Sequence, residues 1–336
     1  MVSPKWFLAE ADTRFFRVEL DSFVPDRIYD SHIHIGLRSG FSSDRLDAVV
    51  ANTPEVADMA SYRDHLHWIL PGRTVAGANM LPTTLTGENR DEGNAFAARE
   101  ALTDSVSGSS VVIHPDMTAD QLRADIDRHK PVSLKPYHLM APRADTLQAP
   151  MVEYLPEHVM PVAHEAKLPI VVHLVLDKAL ADESNQATIR HYCETYPDMK
   201  IVLAHGARGL NPGHTARGIG AIADLPNVYF DTSSVCESGS FEAILMTFGH
   251  SRLMWGSDWP FSHFHGRCIA VADFFSWVYD DQIEFGLHTA GGKTGFTFVN
   301  HESLRMLKFA CHACKMSDAQ VEAIFYDNAA ELFARR

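Results

Sequence analysis

Short apolar, β-branched runs recur along the chain, and stretches whose apolar residues fall at helical spacing lie between them. The runs are RIYDSHIHI (27–35), TVAGANML (74–81), SVVIHPDM (110–117), PVSLKPYH (131–138), LPIVVHLV (168–175), KIVLAHGA (200–207), NVYFDTSS (227–234) and RLMWGSDW (252–259), eight in all. Helical spacing marks GENRDEGNAFAAREALTDS, TADQLRADIDRH, EYLPEHVMPVAHEAK, NQATIRHYCETYP and HTARGIGAIADL, several opened by Asp, Thr or Asn and closed near Pro or Gly. Runs apolar on both faces predict strands of a parallel sheet covered by helices. Eight such alternations predict an α/β fold of the (β/α)8 TIM-barrel type rather than an open doubly wound sheet.

Two regions stand outside the repeat. Residues 1–26 form an N-terminal extension, and residues 41–73 form a long connection after the first strand, placed to cap the barrel mouth. A second long connection, about 262–300, follows the eighth strand and contains GLHTAGGKTGF (286–296). That stretch resembles a phosphate-binding loop, but Leu287 stands where the first glycine is required and no strand precedes it, so phosphate binding is not expected. With no repeat, low-complexity tract or linker, residues 1–336 read as one domain, the barrel occupying about 27–333.

Composition narrows the class. The chain has 336 residues, 46% of them hydrophobic, enough for one large barrel. A formal net charge of −14 argues against nucleic acid or an anionic membrane as the main partner. No apolar run approaches the length of a membrane span, and MVSPKWFLAEADTRFF lacks the apolar core of a signal peptide. The five cysteines, Cys193, Cys236, Cys268, Cys311 and Cys314, form an odd, scattered set that fits reduced thiols in the cytoplasm. Cys311 and Cys314 make a C-x-x-C, but without a second ligand pair they read as helix-packing residues.

A barrel carries its chemistry at the C-terminal ends of its strands. There the chain places His32 and His34 (first strand), Lys135 and Tyr137 (fourth), His173 (fifth), His205 (sixth) and Asp258 (eighth). His32 and His34, two apart on a strand, face the same way. Imidazole nitrogens with a carboxylate are the donor set of a borderline divalent ion such as zinc. A purely structural reading would instead require each ring to find a buried hydrogen-bond partner.

DSHIHIG, the VVHL and LAHG histidines, WGSDWP and the terminal IFYDNAAELF together resemble the amidohydrolase superfamily, in its metal-dependent amidohydrolase-2 branch, from about residue 28 to 333. The resemblance implies a (β/α)8 barrel with His32, His34, His173 and Asp258 as metal ligands and His205 as a second-site ligand or catalytic residue. It leaves Lys135 open. In binuclear members a lysine on this strand is carbamylated and bridges two metals; in mononuclear members it is free to serve as a cation for a substrate carboxylate. One divalent ion is expected, zinc first, with manganese or iron as alternatives.

The expected chemistry is attack by a metal-activated water on a C–O or C–N bond, in a lactone or amide of a small anionic molecule. Asp258 would move the proton, and His205 would orient the water or stabilise the oxyanion. Lys135, Tyr137 and Arg208 are the expected substrate contacts, although a surface salt bridge would equally account for Arg208 and for Arg38. His114, His138, His263 and His265 also follow strands and are kept outside the catalytic set. The competing readings are non-oxidative decarboxylation of an aromatic or semialdehyde acid on the same site, and a non-catalytic barrel with a structural metal. A homodimer is compatible with the fold.

Overall fold

The computed structural model describes residues 7–40, 53–83, 90–279, 288–289, 292–293 and 296–335. All eight predicted runs contain strands: β1 (Arg27–Leu37), β3 (Thr74–Pro82), β4 (Gly108–Ile113), β5 (Ser133–Pro136), β6 (Ile170–Val172), β7 (Ile201–Leu203), β8 (Val228–Asp231) and β9 (Leu253–Met254). They pair in parallel in the order β1-β3-β4-β5-β6-β7-β8-β9, and the two-residue β2 (Val56–Ala57) adds antiparallel to the end of β1.

The chain just beyond β9 closes the ring. Ser31 N donates to Trp255 O at 3.0 Å, Asp258 N to His32 O at 2.9 Å and His34 N to Trp259 O at 2.6 Å. Gly256 permits this approach, since a Cβ there would stand 2.9 Å from the Cβ of His32. Buried Asp30 then ties three elements together. Its Oδ1 accepts from the backbone N–H groups of His32 and Ser257, and its Oδ2 from Tyr62 Oη at 2.7 Å on the helix Met59–Ile69. Burial raises the Asp30 carboxyl to about 6, against the lowering effect of those donors.

Local chemistry sets the helices. Thr118 and Gln121 form a reciprocal cap at the start of Ala119–His129, which ends on left-handed Lys130. The predicted segment 153–167 is divided instead into Met151–Tyr154, a 3-10 turn at Glu157–Val159 and Met160–Ala166. Pro156 and Pro161 lack the N–H that a continuous helix would need.

The N-terminal extension is docked by the helix Glu10–Phe15. Buried Asp12 accepts from His265 Nε2 at 2.8 Å and from Phe298 N at 3.3 Å. After β9 the chain makes a hairpin of β10 (Gly266–Val271) and β11 (Phe274–Tyr279), whose Phe275, Trp277 and Tyr279 pack on the core. Of the two long connections, 41–52 lies outside the described residues, as does most of GLHTAGGKTGF. Among the described residues no helix is long and apolar enough to cross a membrane. All five cysteines are free thiols, and Cys311 belongs to the core cluster, its thiol pushed up to about 12 by burial.

Candidate metal centre

The site is built at the C-terminal end of the barrel from β1 outward. His32 and His34 share a face, and their Nε2 atoms stand 3.2 Å apart. Asp258, from the segment that closes the ring, brings Oδ1 to 3.2 Å from His34 Nε2 and 3.6 Å from His32 Nε2. His205 follows β7, its Nδ1 3.9 Å from Asp258 Oδ2.

The hydrogen-bond partners fix where the protons are. Asp231 Oδ2 lies 2.9 Å from His32 Nδ1, so that nitrogen donates and Nε2 keeps its lone pair. Tyr137 Oη donates to Pro82 O at 2.7 Å, leaving its oxygen to accept from His34 Nδ1 at 3.3 Å. His34 Nε2 is thereby also a lone-pair atom. His205 Nδ1 donates to Ser233 O at 3.0 Å, which leaves its Nε2 as the acceptor. Asp258 Oδ2 accepts from Ser234 Oγ at 2.5 Å.

Two imidazole lone pairs and a carboxylate oxygen thus face one another at 3.2–3.6 Å with no proton between them. Such atoms repel unless a cation lies among them. Donors about 2.0–2.1 Å from a tetrahedral zinc stand about 3.3 Å apart, which is the spacing found. The donor set therefore fits a divalent ion. Among the described residues His32, His205 and Asp258 also bring donor atoms within 4.8 Å of one another, and His34 lies beside His32 and Asp258. His173 adjoins through His205, ring centroids 4.7 Å apart.

Electrostatics agree with that donor set. Burial, with the neighbouring His32 and Lys135, drives His34 down to about 3, and burial also lowers His205 and His173, so all three rings are neutral at neutral pH, the form in which an imidazole can bind a metal. Burial alone would raise Asp258, but the neighbouring His205, His34 and His32 outweigh it and hold the carboxylate below its ordinary range. Asp231 is held low in the same way by His32, His205 and Ser233.

Backbone strain accompanies this geometry. His205, Gly206, Ala207 and Arg208 form a left-handed turn with φ of 56°, 57°, 62° and 55°. Asp258 and Ser234 are also left-handed, at 58° and 59°. Each non-glycine costs about 1–2 kcal/mol there, so the surrounding contacts must hold it. Asp231 Oδ1 supplies one such contact by accepting from His205 N at 2.9 Å.

Lys135 is 1% exposed, and burial lowers it to about 8, with Asp231 and Asp258 opposing that shift. Its Nζ stands 5.2 Å from the ring centroid of Tyr137, and among the described residues no ion pair engages it. Arg208 donates Nη1 to Leu176 O at 2.7 Å, lies 5.2 Å from the Phe275 ring and likewise has no ion pair among the described residues. His138 lies beside His173, centroids 5.2 Å apart, while His265 is engaged by Asp12, away from the donor group. His114 is paired with Asp116 at 3.8 Å, and His263 lies against Phe298.

Asp231, Ser233 and Ser234 were not among the residues expected from sequence. Their signal lay in NVYFDTSS, where an acid ends a buried strand and three hydroxyl residues follow it.

An amidohydrolase family model, Amidohydro_2, matches residues 87–335. An L-fucono-1,5-lactonase of Burkholderia ambifaria is 28% identical over 133 residues, 35% of this chain and 45% of the lactonase, so the match spans less than half of that relative. An amidohydrolase of Burkholderia multivorans with bound zinc has the same fold, at 16% identity and TM-score 0.60, over 91% of this chain and 98% of its own. A dihydroxybenzoic acid decarboxylase of Polaromonas with bound manganese and 2-nitroresorcinol also shares it, at 15% identity and TM-score 0.54, over 92% and 96%. A family match over residues 87–335, on a barrel whose strand ends gather imidazoles and a carboxylate, identifies the chain as a member of the amidohydrolase family of enzymes.

Proposed function

We propose that the protein is a metal-dependent hydrolase that cleaves a C–O or C–N bond, in a lactone or amide, of a small carboxylated molecule. The observation that carries this reading is the set of proton-free donors, His32 Nε2, His34 Nε2 and Asp258 Oδ1, at 3.2–3.6 Å from one another. His32, His34 and Asp258 would hold one divalent ion, zinc or alternatively manganese or iron, with His173 and His205 at its margin. When bound, such an ion acidifies water toward a pKa of about 7 and polarises a carbonyl.

The chain's own groups do the rest. Asp258 takes the proton of the attacking water and returns it to the leaving oxygen or nitrogen as the scissile bond breaks. Ser234 holds the carboxylate in position for both transfers. His205, fixed through Ser233 and Asp231, turns its Nε2 lone pair toward the site and orients the attacking water by accepting its hydrogen bond. Lys135 and Arg208, cations without ion pairs among the described residues, receive the substrate's negative groups, and Tyr137 contributes its ring face. A second metal bridged by carbamylated Lys135 would remove that lysine from substrate binding.

Decarboxylation is the competing reading, favoured by the buried Lys135, a cation without an ion pair among the described residues that would receive a substrate carboxylate. Incubating the metal-loaded protein with lactones, amides and carboxylated aromatic acids, while following acid release and carbon dioxide release together, tests both. Acid release without carbon dioxide is expected; carbon dioxide release alone overturns hydrolysis. The reading is that of a single-domain protein in a reducing cytoplasm, where its five thiols stay free; a homodimer is compatible with it.

A further inference from the structure

A cavity of about 400 Å³ opens between the helix Arg90–Ala101 and the end of the helix Ala119–His129. Gly108 and Ser109, which open β4, are part of its lining, so it lies at the end of the barrel opposite the metal centre. Ala95, Ala98 and Ala101 line it from the first helix, and side chains that small leave the gap between the two helices unfilled. The rest of the lining is basic. Arg99, Arg128, His129, Lys130 and Arg335 all contribute to it and no acid does among the described residues, in a chain of 43 acids and 29 lysines and arginines.

These cations are not all neutralised. Lys130 is paired with Asp127 at 3.3 Å and Arg128 with Asp125 at 3.9 Å, which offsets part of their charge. Arg99, its Cζ 5.8 Å from the Phe96 ring centroid, has no ion pair among the described residues. Nor does Arg335, which is fastened at the rim through its N to Val106 O at 3.3 Å and its Nη2 to Asp104 O at 2.7 Å. His129 keeps a buried Nε2 without a hydrogen-bond partner among the described residues. Basic side chains in the last turn of a helix offset the partial negative charge of its end. That accounts for Arg99, Arg128 and His129 one by one, but not for Arg335, which arrives from the far end of the chain.

Two guanidinium groups without ion pairs and an imidazole nitrogen short of a partner match a dianion that accepts several hydrogen bonds. A phosphate monoester carries about −1.5 to −2 charges at pH 7 and engages guanidinium groups bidentately. The cavity volume falls within the range of about 300–1,000 Å³ of small-molecule sites, and the alanines with Leu102 give an apolar wall for an organic remainder. We infer that this cavity binds one small organic phosphate monoester per chain, at a site separate from the metal centre and independent of the reaction proposed there.

Calorimetry on the metal-loaded full-length protein tests this, with adenosine 5′-monophosphate and glucose 6-phosphate as probes of a nucleoside and a sugar source. At least one of them should bind at one per chain, at least about tenfold more tightly than its unphosphorylated parent and than inorganic phosphate. Arg99→Glu, at an exposed position, should weaken that binding at least about tenfold with the thermal midpoint unchanged. Ala98→Trp, which fills the cavity without altering its charge, should weaken it as well; where that variant loses stability, Arg99→Glu alone decides. Binding of neither monoester, equal binding of the parent or of inorganic phosphate, or an affinity unchanged in Arg99→Glu, which would put the phosphate elsewhere, overturns the inference.

Discussion

His32 Nδ1 stands 2.9 Å from Asp231 Oδ2, with both side chains buried, and that contact aims His32 Nε2 at His34 and Asp258. A carboxylate behind a ligating histidine fixes its tautomer and raises its basicity. Asp231→Asn should therefore weaken metal binding by about 10–100-fold while leaving the barrel folded. Competition with a chromophoric chelator measures this, and an unchanged affinity would remove Asp231 from the site.

Asp258 is assigned both a donor oxygen and the proton transfer. Asp258→Asn keeps the shape and loses the base, so kcat should fall by about 10²–10⁴-fold even at saturating metal. Steady-state kinetics over a metal titration checks this. Recovery of full activity at high metal would reduce Asp258 to a ligand alone.

Lys135 is a buried cation without an ion pair among the described residues, a costly arrangement that a bound carboxylate would relieve. Lys135→Met should raise KM for a carboxylated substrate about tenfold or more and leave the thermal midpoint equal or higher. A fall in metal stoichiometry from two to one in this variant would point instead to a bridging lysine.

His301 provides a pH dependence away from the metal. It is buried between Phe15 and Phe298 and donates Nε2 to Ile69 O at 2.9 Å. Burial lowers it from 6.5 to about 4, against the opposing effects of Ile69 O and Asp12. The unfolded chain thus takes up a proton below pH 6.5 that the folded chain refuses until about pH 4. The stability His301 contributes is full above pH 6.5 and is lost as pH falls toward 4, about 3 kcal/mol in all. Urea unfolding at several pH values should show a shallower loss in His301→Leu than in the wild type; equal slopes would contradict the assignment.

The barrel was legible because its strands are buried on both faces, and continuous apolar runs such as IVV and IVL survive any choice of neighbours. The segment 153–167 was less so, because its apolar spacing is helical while Pro156 and Pro161 interrupt the backbone bonds. At the site, His32, His34 and Asp258 announce themselves as polar residues at apolar strand ends. Asp231 does not, because its role depends on a partner 199 positions away. Nor does the left-handed turn at His205, where Ala207 and Arg208 adopt φ values that their residue types disfavour and that only tertiary contacts hold.

Metal content per chain, combined with anomalous diffraction at the zinc, manganese and iron edges, bears most directly on whether these side chains grip a cation. One ion per chain is expected, about 2.0–2.2 Å from His32 Nε2, His34 Nε2 and Asp258 Oδ1. A natively folded preparation that retains no ion after metal loading, or an ion bound elsewhere and undisturbed by His32→Ala, would contradict it.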